Sequence, residues 1–194
     1  MTQKSFERRA AIGRALYKSI RKKGFAQTKL QDIAELADMT PSHVRYYFDG
    51  TRDILKWYFA ETCKQFNQQA EELLATVSAD PIAALAESYF PEVSKRRANL
   101  GVFLELRALA LHDTQLYSQV RQHDRSQIEI LAAILTPVCG KPYAVSAAEI
   151  AYSLAQGLYM GETLQRFDTL TARAYFQLTL QAAIEKMDSE LVPR

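Results

Sequence analysis

GFAQTKLQDIAELADMTPSHVRYYFDGTRDIL, residues 24–55, reads as two short helices joined by a tight turn, with a longer helix beginning just after. Gly24 can supply the left-handed residue that ends a preceding helix. Thr28 followed by Gln31 has the form of a capping box, hydroxyl to third amide and amide side chain reaching back. Leu30, Ile33, Ala34 and Ala37 then share one helical face. Asp38-Met39 makes the turn. Thr40 is a second N-cap, with Pro41 at the first helical position, where a missing N–H costs nothing. Val44 and Phe48, four apart, face inward, which leaves Ser42, His43, Arg45, Tyr46 and Tyr47 on the other faces. Asp49-Gly50 breaks the chain, and Thr51 can cap the helix that follows.

This is the geometry of a helix-turn-helix, whose second helix fits a DNA major groove. Upstream, residues 4–23 form a helix with Phe6, Ile12, Leu16 and Ile20 on one stripe and basic residues over the rest. Its Arg21-Lys22-Lys23 end either complements the helix dipole or approaches phosphates. Downstream, a long helix from about Arg52 to Ala75 carries Ile54, Leu55, Tyr58, Phe59, Thr62 and Phe66 at helical spacing. It is the expected mechanical link between a head of residues 1–52 and a larger domain of residues 53–190.

In that larger domain, Asp80-Pro81 starts a helix that Pro91 interrupts. Asn99–His112 is a strongly apolar helix, and Asp113-Thr114 opens another reaching about Leu135. Two prolines and a glycine make 136–145 a surface loop, and Ser146 with Glu149 forms a capping box for a helix to Phe167. A last helix runs over Leu170–Met187. The two terminal helices are apolar over more surface than one buried stripe needs, which makes them a dimer seam in preference to an ordinary intrachain core. Ile150, Leu154, Gly157, Leu158 and Gly161 would come from the first, and Tyr175, Phe176, Leu180 and Ile184 from the second, as a four-helix bundle. No stretch alternates with period two, so the chain is expected to be all-α, with about nine helices and no sheet.

The bulk properties bound the function. The sequence of 194 residues can bury a sound core and has no apolar run long enough to span a bilayer. No secretory leader is visible, and two cysteines are too few for a disulfide framework, so a cytoplasmic location is expected. Residues 1–56 carry 12 Lys/Arg against 6 Asp/Glu, whereas the rest carries 12 against 16. A basic head on an acidic body suits a polyanion partner. Leu191-Val192-Pro193-Arg194 spells half of a thrombin site, so residues 191–194 read as a purification-tag remnant. No Gly-rich phosphate loop, zinc cluster or nucleophile elbow appears, and none of the three histidines follows a Glu by three residues. No catalytic residue, metal site or cofactor is therefore expected.

Residues 5–58 resemble the DNA-binding domain of the tetracycline-repressor (TetR) family of transcriptional regulators. The resemblance rests on Gly24-Phe25 with Thr28, the D-I-A-x-x-A run from Asp32 to Ala37, the cap Thr40, Tyr46 to Phe48, and Ile54-Leu55. Glu105 to Asp113, E-L-x-A-L-A-L-x-D, is also similar to some members. The resemblance implies a homodimer of about nine helices per chain that represses transcription until a small effector enters the larger domain. Double-stranded operator DNA would lie across two recognition helices in successive major grooves. Phosphate contacts would fall to Thr28, Lys29, Thr40, Tyr47, Thr51 and Arg52, and base contacts to Pro41, Ser42, His43, Arg45 and Tyr46. Ser42, His43, Arg45 and Thr51 replace the family's usual Gly, Thr, Tyr and Lys, so the operator should differ from that of better-matching relatives.

For the effector, the candidate residues are Trp57, Phe66, Tyr89, Phe103, Glu105, Arg107, His112, Tyr152 and Tyr159. Glu105 and Arg107 stand out as charges in an apolar helix, although two residues apart they point to different faces. The alternative to a DNA reader is a small-molecule-binding helical dimer acting through protein contacts. The basic head and polar recognition face favour DNA.

Overall fold

The computed structural model describes residues 2–76, 79–91 and 106–190. Phe103, Glu105 and residues 191–194 lie outside them, as does the first half of the expected Asn99–His112 helix. Among the described residues there are eight helices, a further helical segment at 106–110 and no strand, so the fold is all-α. The helices are α1 (Gln3–Lys23), α2 (Leu30–Leu36), α3 (Pro41–Tyr47), α4 (Thr51–Thr76), α5 (Pro81–Tyr89), α6 (Thr114–Cys139), α7 (Lys141–Thr163) and α8 (Thr169–Glu190).

Compactness divides the chain into Met1–Lys64 with Arg97–Val120, and Gln65–Arg96 with Arg121–Arg194. The dividing line crosses α4 and α6, so each of these helices belongs to both units.

In the first unit, α1 packs on α2 and α2 on α3. Its core is built from Ile12, Leu16 and Ile20 of α1, Ile33 and Ala34 of α2, Val44 and Phe48 from the recognition segment, and Ile54, Leu55 and Phe59 of α4. Gly13 lets α4 come close. A Cβ there would stand 2.9 Å from Tyr58 and 3.2 Å from Trp57. Trp57 in turn meets Phe48 edge-on at 5.7 Å and Phe6 at 6.0 Å.

The helix ends explain themselves, though not always as the sequence suggests. Gly24, at φ 77°, ends α1. Thr28 is not the cap of α2. Its hydroxyl donates back to the Gly24 carbonyl at 2.8 Å and shares a 3.0 Å hydrogen bond with Ser19. The cap lies one residue later, where the Asp32 carboxylate accepts from the Lys29 N–H at 2.7 Å. The end of α2 is closed by Asp38 in the left-handed region, φ 54°, with its N–H on the Glu35 carbonyl and the Met39 N–H on that of Ala34. That is the paired bonding of a Schellman turn, here without glycine. Gln165, φ 56°, closes α7 the same way. Thr40 caps α3 as expected, accepting from the His43 N–H at 3.1 Å. At α4, Asp53 reaches back to the Asp49 N–H at 3.1 Å, and Thr51 is the helix's first residue.

The second unit is built on α8. Ala172, Phe176, Leu180 and Ile184 form its buried stripe, and α5 and α7 pack on it. Arg173 donates twice to the Phe90 carbonyl, at 3.0 and 2.7 Å, which ties α8 to the end of α5. On α7, Ala144, Ala147, Ala148, Ala151 and Ala155 are all buried, and their small side chains permit a close crossing.

The loop expected over 136–145 is absent. Helix α6 continues to Cys139 with Pro137 inside it, and α7 begins at Lys141. Only Gly140, at φ 73°, separates them, and its N–H still bonds the Thr136 carbonyl at 2.9 Å. Pro137 falls in the last turn, where a lost N–H costs one bond rather than the helix. Pro142 falls in the first turn of α7, where it costs none. Ser146 is therefore inside a helix rather than at its cap.

Candidate nucleic-acid interface

Helix α3 is seven residues long, and Val44 is its one buried residue. Phe48, just beyond its end, is the second anchor, held under the Arg9 guanidinium at 4.5 Å. With these two fixed, Ser42, His43, Arg45 and Tyr46 are all turned outward, and Pro41 and Tyr47 are half-buried at the edges. Tyr46 is 81 % exposed. The outward side chains are ordered by their neighbours. The His43 ring lies 5.5 Å from that of Tyr47, and Tyr46 meets Tyr47 edge-on at 5.1 Å. Lys29 and Arg52 are exposed on flanking elements, as is Thr40, while Thr51 is half-buried. The arrangement offers donors, a guanidinium and aromatic edges from one short helix, with cations on either side. These are the groups that contact base edges and phosphates. Thr28 is the exception among the expected contacts, because it is buried and its hydroxyl is already committed.

Behind α3, the Lys23 ammonium is 2.6 Å from Asp32. That hydrogen bond, with the Lys29 N–H, holds the Asp32 carboxyl below its ordinary range. The same unit contains a cleft of about 580 Å³, lined by α1, the start of α4 and the start of α6. Its walls include Arg9, Arg52, Lys56, Asp49, Asp53 and Gln119. The Lys56 ammonium bonds Gln115 at 2.8 Å and lies 3.3 Å from Asp113. Asp113 is the cap of α6, and its carboxyl is held low first by the Leu116 N–H and then by Lys56.

The described residues among the expected effector contacts are divided between the two units. Trp57, Arg107 and His112 belong to the first unit, and Trp57 is part of its aromatic core and of the cleft wall. Phe66, Tyr89, Tyr152 and Tyr159 belong to the second. There Tyr89 packs on Phe176 at 5.6 Å, and the Tyr152 hydroxyl donates to Asp124 at 2.8 Å. The sequence reading overlooked the polar set around them. Asn67 of α4 bonds Ser126 at 2.9 Å and Gln127 at 2.7 Å, and the buried His123 lies 6.2 Å from the Phe66 ring. The available signal was His123 and Gln127 at a four-residue spacing on one helix.

Of the expected seam residues, Phe176, Leu180 and Ile184 are taken up by the chain's own core. Gly161 is covered by the Phe167 ring, which leaves no room for a Cβ there. Two of the expected residues, Gly157 of α7 and Tyr175 of α8, are exposed, together with Met160 of α7, Leu164 just beyond its end, and Leu170, Ala174 and Leu178 of α8. Ile150, Leu154 and Leu158 are half-buried. Among the described residues, no group of three or more His, Cys, Asp or Glu could hold a metal ion, and no helix is long and apolar enough to cross a membrane.

Residues 78–187 match the family model for the C-terminal domain of the BetI-type transcriptional repressor, one of the TetR C-terminal families. No curated protein matches in sequence. Solved structures share the fold at low identity. A TetR transcription regulator from Haloarcula marismortui is 18% identical with a TM-score of 0.76, over 93% of this chain and 97% of that one. The regulator FadR from Bacillus subtilis, in complex with stearoyl-CoA, is 20% identical with a TM-score of 0.74, over 88% and 96%. A protein from Saccharomonospora viridis in complex with choline is 20% identical with a TM-score of 0.76, over 90% and 96%.

Proposed function

The chain belongs to the TetR family of transcriptional regulators, and from that premise we propose that it is a homodimeric repressor which a small effector releases from a palindromic operator. The observation that carries the DNA-reading part is the outward set on α3, fixed from below by Val44 and Phe48. Arg45 is the principal base reader, since a guanidinium pairs bidentately with guanine. Pro41, Ser42, His43 and Tyr46 supply the other base contacts, and Lys29, Thr40, Tyr47, Thr51 and Arg52 position the phosphates. Residues 1–52 thus do the reading, and residues 53–190 carry the effector and the partner.

The large apolar side chains exposed on α7 and α8 support a dimer, because soluble monomers rarely leave large apolar patches open. In the dimer, two copies of α3 would sit about 34–36 Å apart, one turn of the duplex. The polar set at Asn67, His123, Gln127 and Tyr152 supports an effector contact in the second unit. Choline and stearoyl-CoA, the ligands of two fold neighbours, differ too much to name this effector.

Selection of bound fragments from random duplex DNA tests the proposal. A recovered palindrome with half-sites one turn apart, bound with a steep salt dependence, is the expected result. Recovery of no enriched sequence would remove the DNA-reading role and leave a regulator acting through protein contacts.

A further inference from the structure

The cleft in the first unit is not explained by base reading. Three cations from two helices line it: Arg9 of α1, and Arg52 and Lys56 of α4. Among the described residues no ion pair joins its two carboxylates, Asp49 and Asp53, to any of the three, and Lys56 is paired with Asp113. Asp53 is instead turned to the Asp49 N–H. Arg9 is steadied by the face of Phe48. The carbonyl oxygen of Gln119 on the α6 wall is buried and has no hydrogen-bond partner among the described residues. An acceptor taken out of water in this way calls for a donor.

We propose that this cleft binds a phosphate group, whose oxygens accept from Arg9, Arg52 and Lys56. Guanidinium forks suit its tetrahedral face, and an ammonium adds a point charge. Two sources share this chemistry. A backbone phosphodiester of the operator offers acceptors only. Free phosphate or a phosphomonoester, near its second pKa at neutral pH, also carries a P–OH that can donate to Gln119. In either case Lys56 must exchange Asp113, the cap of α6, for the phosphate. The diester source rests on the DNA-reading role proposed above; the free-phosphate source does not.

The test uses the full chain and its Arg9→Gln, Lys56→Gln, Lys56→Arg and Gln119→Leu variants, with helical content checked by circular dichroism. Operator affinity is measured between about 50 and 200 mM salt, and inorganic phosphate is titrated into DNA-free protein by calorimetry. If the operator supplies the phosphate, the log–log salt slope falls by about 0.9 in Arg9→Gln and in Lys56→Gln. Lys56→Arg then keeps the slope, and Gln119→Leu leaves it unchanged. If the phosphate is free, DNA-free protein binds inorganic phosphate, and Arg9→Gln, Lys56→Gln and Gln119→Leu each weaken it by about tenfold or more, or 1.4 kcal/mol. An unchanged slope together with no phosphate binding overturns the proposal. So does an affinity loss that is equal at every salt concentration, or phosphate binding that the variants do not weaken. A chain that takes up inorganic phosphate but no duplex would retain the cleft and remove the DNA-reading role.

Discussion

Helices α3 and α8 both expose much of their surface, but the two surfaces require different partners. On α3, one buried valine supports an outer face of serine, histidine, arginine and tyrosine. These side chains are comfortable in water and gain by meeting a polyanion. On α8, a stripe of Ala172, Phe176, Leu180 and Ile184 is buried every fourth residue, and the opposite face repeats the pattern with Leu170, Ala174 and Leu178 exposed. That outer face gains by leaving water, which a second protein surface permits and a nucleic acid does not. Exposure alone therefore says little about a binding site; the chemistry of the exposed face says what it binds.

The comparison breaks first at the buried stripe. Phe176→Ala should destabilise the chain by about 3–5 kcal/mol, read from urea unfolding, because Phe176 is fully buried against Tyr89 and Phe90. Next comes the outer face of the same helix. Leu178 is 71 % exposed, so Leu178→Glu should leave the chain folded but place two like charges in the dimer seam. Sedimentation should then show a monomer, with operator affinity falling in parallel; a dimer of unchanged strength would take the seam off this face. On α3, Arg45→Ala should cost about 1–3 kcal/mol of discrimination at one base pair and leave the folding midpoint where it was. A binding profile unchanged over all single-base operator variants would remove Arg45 from base readout. Thr40→Ala removes the cap of α3 and should cost about 1 kcal/mol of stability.

The smallest effect concerns acid. Asp32 is held below its ordinary value of 3.8 by Lys23 and by the Lys29 N–H. A carboxyl depressed in the folded state stabilises it above the unfolded value, and this contribution is lost as pH falls through the folded value. The melting temperature of Asp32→Asn should therefore be lower at neutral pH and should decline less on acidification below about pH 4.

The head was legible because its signals are local. Gly24, Thr40, Pro41 and the Val44–Phe48 pair each act within one turn of the chain, and each stands where the pattern put it. Thr28 misled because its hydroxyl can satisfy either an amide ahead or a carbonyl behind, and only the packing of Ser19 chooses. Asp38-Met39 was legible as a turn, whereas Gln165 gave no signal as a helix stop, since glycine is the usual occupant of a left-handed position. The α6–α7 junction was misread because proline in the last and first turns of adjoining helices resembles proline in a loop. Of the residues expected at the seam, Phe176, Leu180 and Ile184 lie in the chain's own core, whereas Gly157 and Tyr175 are exposed. When leucine, phenylalanine and isoleucine cover both sides of a helix, periodicity cannot tell which side meets the chain's own core. The cleft was invisible for another reason: Arg9, Lys56 and Gln119 lie far apart in sequence, and none belongs to a motif.

The narrow anchoring of α3, by Val44 and Phe48 alone, bears on how such a protein changes over generations. A substitution at Ser42, His43, Arg45 or Tyr46 removes no packed atom from the interior, so it leaves stability within about 0.5 kcal/mol. Copies of the gene can drift at these four positions without crossing the threshold below which chains are degraded, and under the base-reading role proposed above each drift would rewrite the preferred operator. On that proposal recognition is separable from folding by inheritance, and a laboratory library restricted to those four codons would sample new operators from a population of almost uniformly folded proteins.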